Sequence, residues 1–258
     1  RQRQMCIRDR YDEARLQYRL DEMEDAGMLY NVPPNDAGEW SSPAFIVDKV
    51  GDILGRVVTD YEGPNRETED HPGVPAVADT VLRKCMHKNY YTLMDMVWGF
   101  SQIQLTERAH RIWTIVTSAG LKRWKYLPFG PKQGPGICQS FNDHAFGDLD
   151  ATVIFVDDFC TSSDTFEEHI ADVKKLMERG RLHGVEWRLT KCTWCQHKVV
   201  MIGFEVSKEG RKPDPSKVEA LAAWPEETEL ADVNSLFHFA NYLREFIPDF
   251  TAIVQPLK

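Results

Sequence analysis

Two adjacent carboxylates close a short apolar run, Thr152-Val-Ile-Phe-Val-Asp157-Asp158. A buried strand tolerates such a pair only where the acids are exposed in a turn, paired, or bound to cations. A solvated hairpin turn is the plainer alternative. A second β-prone run, Tyr91-Thr-Leu-Met-Asp95, also ends on an aspartate, where a cap or turn residue is the plainer alternative. Carboxylates at the ends of neighbouring strands converge at one sheet edge, and hard divalent cations such as magnesium prefer carboxylate oxygens. Two-metal phosphoryl transfer needs that convergence, with ions roughly 3.5–4 Å apart. Consecutive strand residues point to opposite faces. Asp157 and Asp158 are therefore not equivalent, and Asp157 is expected to be the closer partner of Asp95.

The elements that must position these acids follow from periodicity. Leu16, Leu20 and Met23 fall at helical spacing and predict an amphipathic helix over 11–29. Residues 31–43, rich in Pro, Asn, Asp and Ser, read as a linker. Two β-branched runs, 44–49 and 54–59, flank Gly51-Asp52 and predict a hairpin. Residues 61–73 read as a loop and 77–87 as a short helix. Strands are expected over 90–94, 111–117, 121–127, 152–156 and 199–206, with a charged turn at 207–212. Helices are expected after the turn at 128–135, over 165–183 with Phe166, Ile170, Val173 and Met177 on one face, and over 215–224 and 232–246. From Tyr90 onward the order is strand, strand, strand, helix, strand, helix, strand. That order predicts an α+β architecture, an antiparallel sheet with helices on one face.

The bulk of the sequence limits the partners. The 258 residues are 42% hydrophobic and 28% charged, as expected of a globular chain. Its longest apolar run falls short of the about 18 residues of a membrane span, and the opening is polar and basic rather than signal-like, so an intracellular place is expected. The net charge of −9 argues against nucleic-acid binding over the whole surface but leaves room for a lined groove. Lys122, Arg123 and Lys125, with Lys132 behind them, and Arg83, Lys84, His87 and Lys88 form two basic clusters. They are candidates for phosphate contact or for solubilising charge. Cys192-Thr-Trp-Cys195 has metal-ligand spacing beside His197, but a structural zinc site needs four ligands and no second pair exists, so ordinary thiols are expected. The first ten residues, RQRQMCIRDR, lack apolar periodicity, resemble a translated sequencing adapter, and are expected to be a non-native leader.

Several motifs resemble, in order, those of reverse transcriptases of gypsy-like LTR retrotransposons. Phe155-Val-Asp-Asp158 resembles the Tyr/Phe-x-Asp-Asp signature, and Leu93-Met-Asp-Met-Val-Trp-Gly-Phe-Ser-Gln-Ile-Gln-Leu105 resembles the first catalytic motif. Leu127-Pro-Phe-Gly130, Leu189-Thr-Lys-Cys192 and Ile202-Gly-Phe-Glu-Val-Ser207 resemble three further family motifs. Ser41-Ser-Pro-Ala-Phe-Ile-Val47 and Ala240-Asn-Tyr-Leu-Arg-Glu-Phe-Ile247 match upstream and downstream markers. Together they span nearly the whole chain.

The resemblance implies a right-hand polymerase. Fingers with the N-terminal helix would cover 11–89, a ferredoxin-like palm 90–207 with a fingers insertion around 106–135, and the start of the thumb 208–258. It implies RNA-directed DNA polymerase activity on a primed RNA or DNA template with dNTPs. It also implies two Mg2+ or Mn2+ ions on Asp95, Asp157, Asp158 and the Met96 backbone. Lys191 would stand near the leaving pyrophosphate as a general acid, or be a surface lysine. Phe100 would be the steric gate against a ribose 2′-hydroxyl, or an ordinary core ring. Arg56 would meet the triphosphate, or be a solvated strand arginine. Phe129 and Gly130 would line the nucleotide pocket. Phe155, Val156, Met201, Ile202, Gly203 and Phe204 would touch primer or template. RNase H and integrase regions of the same polyprotein are the implied partners, and a cytoplasmic particle or the nucleus the implied place. Glu62, Pro64-Asn65, Trp98 and Pro131-Lys-Gln-Gly-Pro135 depart from the family pattern. Two alternatives stand beside the polymerase: an inactive remnant that keeps the fold, and a palm polymerase using RNA precursors, against which the aromatic ring of Phe100 speaks.

Overall fold

The computed structural model describes residues 2–36, 38–49, 51–71, 73, 77–224 and 230–255, side chains apart at 2–10 and 230–232. The elements run α1 (Gln2–Asp25), β1 (Leu29–Val32), β2 (Ser42–Lys49), β3 (Asp52–Thr59), α2 (Glu62–Glu67), α3 (Ala78–Cys85) and β4 (Tyr90–Asp95). They continue α4 (Glu107–Ile112), β5 (Thr114–Thr117), β6 (Gly120–Trp124), α5 (Gly134–Phe146), β7 (Thr152–Phe155), β8 (Asp158–Ser163) and α6 (Phe166–Leu182). The last are β9 (Thr193–Gln196), β10 (Lys198–Met201), β11 (Phe204–Ser207), β12 (Gly210–Pro213), α7 (Pro215–Ala222), α8 (Leu230–Tyr242) and α9 (Phe250–Val254). Among the described residues no helix is long and apolar enough to cross a membrane.

The elements gather into two compact units. One takes the described residues of Arg1–Pro75, Met96–Gly147 and Gly180–Trp187, the other those of Ala76–Asp95, Asp148–Arg179 and Arg188–Lys258. The chain passes back and forth, so neither unit is a contiguous stretch.

The first unit is built on a five-stranded sheet in the order β1-β6-β5-β2-β3. Its neighbours are antiparallel except for the parallel pair β2 and β5. Helix α1 lays Leu16, Leu20 and Met23 against a core that includes Trp113, Ile115 and Trp124. Truncating a fully buried leucine such as Leu20 costs about 2–5 kcal/mol. Arg15 and Arg19 of α1 then bind Asp48 and Asp52 of the β2–β3 hairpin, at 2.9 and 2.5 Å.

Strand β1 lies where the sequence reads as a linker, and it changes the meaning of the first basic cluster. By pairing with β6 in register, Asn31 opposite Lys122, it helps bury Lys122 and Arg123, which are 3% and 4% exposed. Lys122 binds Glu24 and Asn31, and Arg123 binds Asp36 and the Thr114 hydroxyl. These two side chains are neither phosphate contacts nor solubilising charge, because they are spent inside the unit. Lys132 pairs with Asp70 at 3.2 Å. In the second cluster Arg83 pairs with Asp79 and Lys88 with Asp164.

The second unit carries a four-stranded antiparallel sheet in the order β7-β8-β4-β9 and a three-stranded meander β10-β11-β12. The run 199–206, expected as one strand, is a hairpin instead. Ile202 and Gly203 take φ of 51° and 69°, the positive values a two-residue turn requires of its central pair. Val199, Met201, Phe204 and Val206 of the meander join Tyr91, Val153 and Cys160 of the sheet in one core.

Helices lie on both faces of the four-stranded sheet rather than on one. Helix α3 packs Val81, Leu82 and Cys85 on the Cys160 side. Helix α6 covers the other side, where the buried His169 bonds to Thr92 (2.7 Å) and Ser163 (3.3 Å). The Cys195 N–H donates to Thr92 Oγ1 and the Ser163 hydroxyl donates to Asp172. With the Ser163 proton given to Asp172, Nδ1–H donates to Ser163, while Thr92 Oγ1 exchanges a hydrogen bond with Nε2. Burial holds the His169 pKa below its ordinary value.

Three smaller differences have local causes. The first helix begins at Gln2 rather than at 11. Residues 62–67 are helical despite Pro64, because a proline in the first turn removes an N–H that has no partner there. Thr106 caps α4, accepting from the Ala109 N–H, so the expected strand at 111 starts only at Thr114. The Asp232 side chain lies outside the described residues, and α8 already runs from Leu230.

Candidate active site

Antiparallel register brings the carboxylates of the second unit together. Strands β4 and β8 pair so that Asp95 lies opposite Asp158, and β7 and β8 pair so that Phe155 lies opposite Asp158. Directly opposed residues share a face, with Cβ atoms about 4.5–5.5 Å apart. Asp158, not Asp157, is thus the cross-strand partner of Asp95. The strand stops at Phe155, one residue before its apolar run ends, and Val156-Asp157 form the turn. Val156 has φ of 59°, a left-handed conformation that costs a β-branched residue about 1–2 kcal/mol. Packing on both strands holds this strain next to the acids.

Asp158 keeps an open path to water, yet its surroundings weigh on it. Desolvation, then the charges of Asp157 and Asp95, push its pKa up to about 6, while Lys191 pulls the other way. Asp95, Asp158, Lys191, Met201 and Ile202 line one cleft of about 170 Å³. The donor set offers oxygen ligands only, with Asp95 and Asp158 on one face, which suits a hard divalent cation. Among the described residues no three His, Cys, Asp or Glu side chains are grouped so as to hold a metal ion by themselves. Magnesium needs no such group, since it binds through one or two carboxylates and completes its shell with water and phosphate.

The meander reaches the same cleft. Met201 and Phe204 are buried, 3% and 6% exposed, so their side chains belong to the core and only Ile202 and Gly203 form the hairpin tip. Tyr242 of α8 donates its hydroxyl to the Ile202 carbonyl, and Lys217 of α7 lies over the Tyr242 ring at 4.6 Å. Gly203 takes φ of 69°, so glycine suits it for backbone conformation, and the tip of the Lys217 side chain packs beside it. Cys192 donates its thiol to the Arg188 carbonyl at 3.4 Å, as an ordinary half-buried thiol does.

The remaining singled-out residues lie in the first unit. Phe100, in a 3-10 turn over Gly99–Gln102, meets the Phe129 ring edge-on at 5.1 Å. Phe129 is half exposed. Gly130 has φ of 112°, and a Cβ there would strike the Tyr61 ring at 2.9 Å. Asn65 brackets that loop, donating to the Gly130 carbonyl (3.1 Å) and accepting from the Lys132 N–H (2.9 Å). Arg56 stands exposed on β3 opposite Val47. Met96 is buried and bridges to Trp187. Sequence reasoning missed two residues. Asn65 stands out in the sequence only as part of the Pro64-Asn65 departure from the family pattern. Arg188, whose N–H donates to the Asp95 carbonyl at 2.8 Å, carries no signal in Trp187-Arg-Leu-Thr beyond its charge.

Residues 52–206 match the family described as Reverse transcriptase (RNA-dependent DNA polymerase). The chain is 26% identical to a putative enzymatic polyprotein of Cassava vein mosaic virus, over 93% of this chain and 37% of that one. It is 28% identical to the retrovirus-related Pol polyprotein from transposon gypsy of Drosophila melanogaster, over 84% of this chain and 22% of that one. It thus spans well under half of these relatives. Among solved structures it is similar to a foamy viral protease-reverse transcriptase in complex with double-stranded DNA. The TM-score is 0.87 at 21% identity, covering 95% of this chain and 43% of that one. The fold is of the right-hand polymerase kind.

Proposed function

Because the chain belongs to the reverse transcriptase family, we propose that it is the RNA-directed DNA polymerase part of a gypsy-like LTR-retrotransposon polyprotein. The observation that carries this reading is the register of β4 and β8, which sets Asp95 opposite Asp158 with Asp157 in the adjoining turn. The ordered motifs and the gypsy relative support the subclass. RNase H and integrase regions of the same polyprotein are its partners, and a cytoplasmic particle or the nucleus its place.

In this reading a primer 3′-hydroxyl attacks the α-phosphate of a dNTP, one phosphodiester bond forms, and pyrophosphate leaves. Asp95, Asp157, Asp158 and the Met96 carbonyl would hold the ions. Two magnesium or manganese ions bound there supply charge to steady the attacking and leaving oxygens. Lys191, in the cleft beside Asp158, gives a proton to the leaving pyrophosphate. Phe100, braced by Phe129, closes the space a 2′-hydroxyl would need, Gly130 lets the backbone pass close to the nucleotide, and Arg56 offers its fork to phosphate oxygens. The Ile202-Gly203 tip, with Phe155 and Val156, meets the primer strand.

A second reading, a remnant that keeps the fold without activity, draws on the net charge of −9 and on the burial of Lys122 and Arg123, which leaves fewer cations for a nucleic-acid backbone. Primer extension on an RNA template with a DNA primer separates the two. Metal-dependent dNTP incorporation that is lost in Asp157→Asn is the expected result. A folded chain that incorporates nothing with either metal would favour the remnant, or a part that needs other regions of its polyprotein.

A further inference from the structure

Arg188 joins two parts of the candidate site through its backbone. Its N–H donates to the Asp95 carbonyl at 2.8 Å, and its carbonyl accepts from the Lys191 N–H at 2.9 Å and from the Cys192 thiol at 3.4 Å. Those bonds set the end of β4 against the turn that carries Lys191, and any residue at 188 could make them. The guanidinium does something else. Its Nε stands 3.9 Å from Asp95 Oδ2, with the two side chains 32% and 25% exposed. That distance is too long for a hydrogen bond and short enough for charge attraction. A forked, bidentate arginine would lock the carboxylate; this one leans on it.

Asp95 faces Asp158 across the sheet, with Asp157 in the adjoining turn, so like charges repel one another there. A cation at Arg188 relieves that repulsion, and a divalent ion approaching Asp95 meets the same cation as a competitor. We propose that Arg188 is a positioning residue that holds the charge of Asp95 until an ion takes it, and so sets the divalent-cation concentration at which the carboxylates load. The proposal rests on the reading of Asp95, Asp157 and Asp158 as metal-holding groups. It gives Arg188 no part in nucleotide contact.

Manganese binding to the chain alone, followed by paramagnetic enhancement of water proton relaxation, tests this without any turnover. Arg188→Gln tightens manganese binding by about two- to fivefold, the worth of a part-exposed ion pair. Arg188→Lys, which keeps the charge, stays near the unaltered chain. In an Asp95→Asn background, Arg188→Gln changes the affinity by less than about 1.5-fold, because the carboxylate it competes for is gone. If Arg188→Gln does not fold, Arg188→Met, which keeps an apolar stem, is read in its place. Affinity unchanged or weakened by losing the guanidinium overturns the proposal. So does equal tightening in both backgrounds, which would mark a general field rather than a hold on Asp95. No saturable manganese binding in the unaltered chain would instead bring down the metal reading of the three carboxylates.

Discussion

The fastening seams of the first unit and the β4–β8 edge of the second treat charge in opposite ways. In the first, buried or half-buried cations are matched to partners: Arg15 to Asp48, Arg19 to Asp52, Lys122 to Glu24 and Arg123 to Asp36. The match is tight enough that Arg123, and Arg111 after it, hold the Asp36 carboxyl down at about 2. In the second, three carboxylates crowd one sheet edge against Lys191 and the long contact from Arg188, and Asp158 is pushed up rather than down. The difference separates charge used to fasten a fold from charge kept in excess for something that arrives later. Loss of a carboxylate is destabilising in the first case and relieving in the second.

The sharpest way to break that comparison is Asp95→Asn. Metal-dependent primer extension should fall by about a thousandfold, several kcal/mol of barrier, while the melting temperature holds. A collapse of the melting temperature would put Asp95 among the fasteners. Next in size is Arg123→Met, which should destabilise the chain by about 2 kcal/mol, the worth of hydrogen bonds to charged groups, read as a lowered urea midpoint.

The same clamp predicts a pH dependence. The Asp36 pKa is depressed from an ordinary 3.8 to about 2, so its stabilisation is fully present above about 4 and is lost as pH falls through about 2. Urea midpoints between pH 4.5 and 2 should fall less steeply in Asp36→Asn than in the unaltered chain; equal slopes would remove the clamp. A smaller effect, about tenfold, is expected of Phe100→Ala on the preference for dNTP over NTP, measured as the ratio of kcat/KM values. An unchanged ratio would return Phe100 to the plain role of packing on Phe129.

The smallest expected effect is opposite in sign to the clamp. Asp158 has a raised pKa, so its charged form weighs against the fold as pH rises through about 6. Asp158→Asn should therefore raise the melting temperature slightly at pH 7 in the presence of a chelator, and a drop would contradict the excess of charge.

How much of this was legible beforehand depends on the range of the signal. The strand-end acids, the two-metal logic and the ordered motifs are local patterns, and they led to β4, β7, β8 and the α+β layering. The closer partner of Asp95 was misjudged by one position, because the turn begins at Val156 within an apolar run and only backbone conformation reveals it. The hairpin at Ile202-Gly203 was hidden in the same way, with its glycine as the overlooked mark. Lys122 and Arg123 could not be read at all, since their burial depends on Glu24, Asn31 and Asp36, far away in sequence. Arg188 was invisible because its role lies in a contact with Asp95, not in a spacing.

The interleaving of the two units bears on how the chain is made. The first unit takes a last stretch from Gly180–Trp187, and the second takes one from Arg188–Lys258 after opening at residue 76. A ribosome adding about 5–20 residues per second therefore holds both units incomplete until some three quarters of the chain has emerged. Strand β4, made early, must wait several seconds for its partners β8 and β9. A nascent chain of this kind offers sticky surface to chaperones for longer than one whose domains follow each other in sequence, and its yield in expression should respond to translation speed more than to the stability of the finished fold.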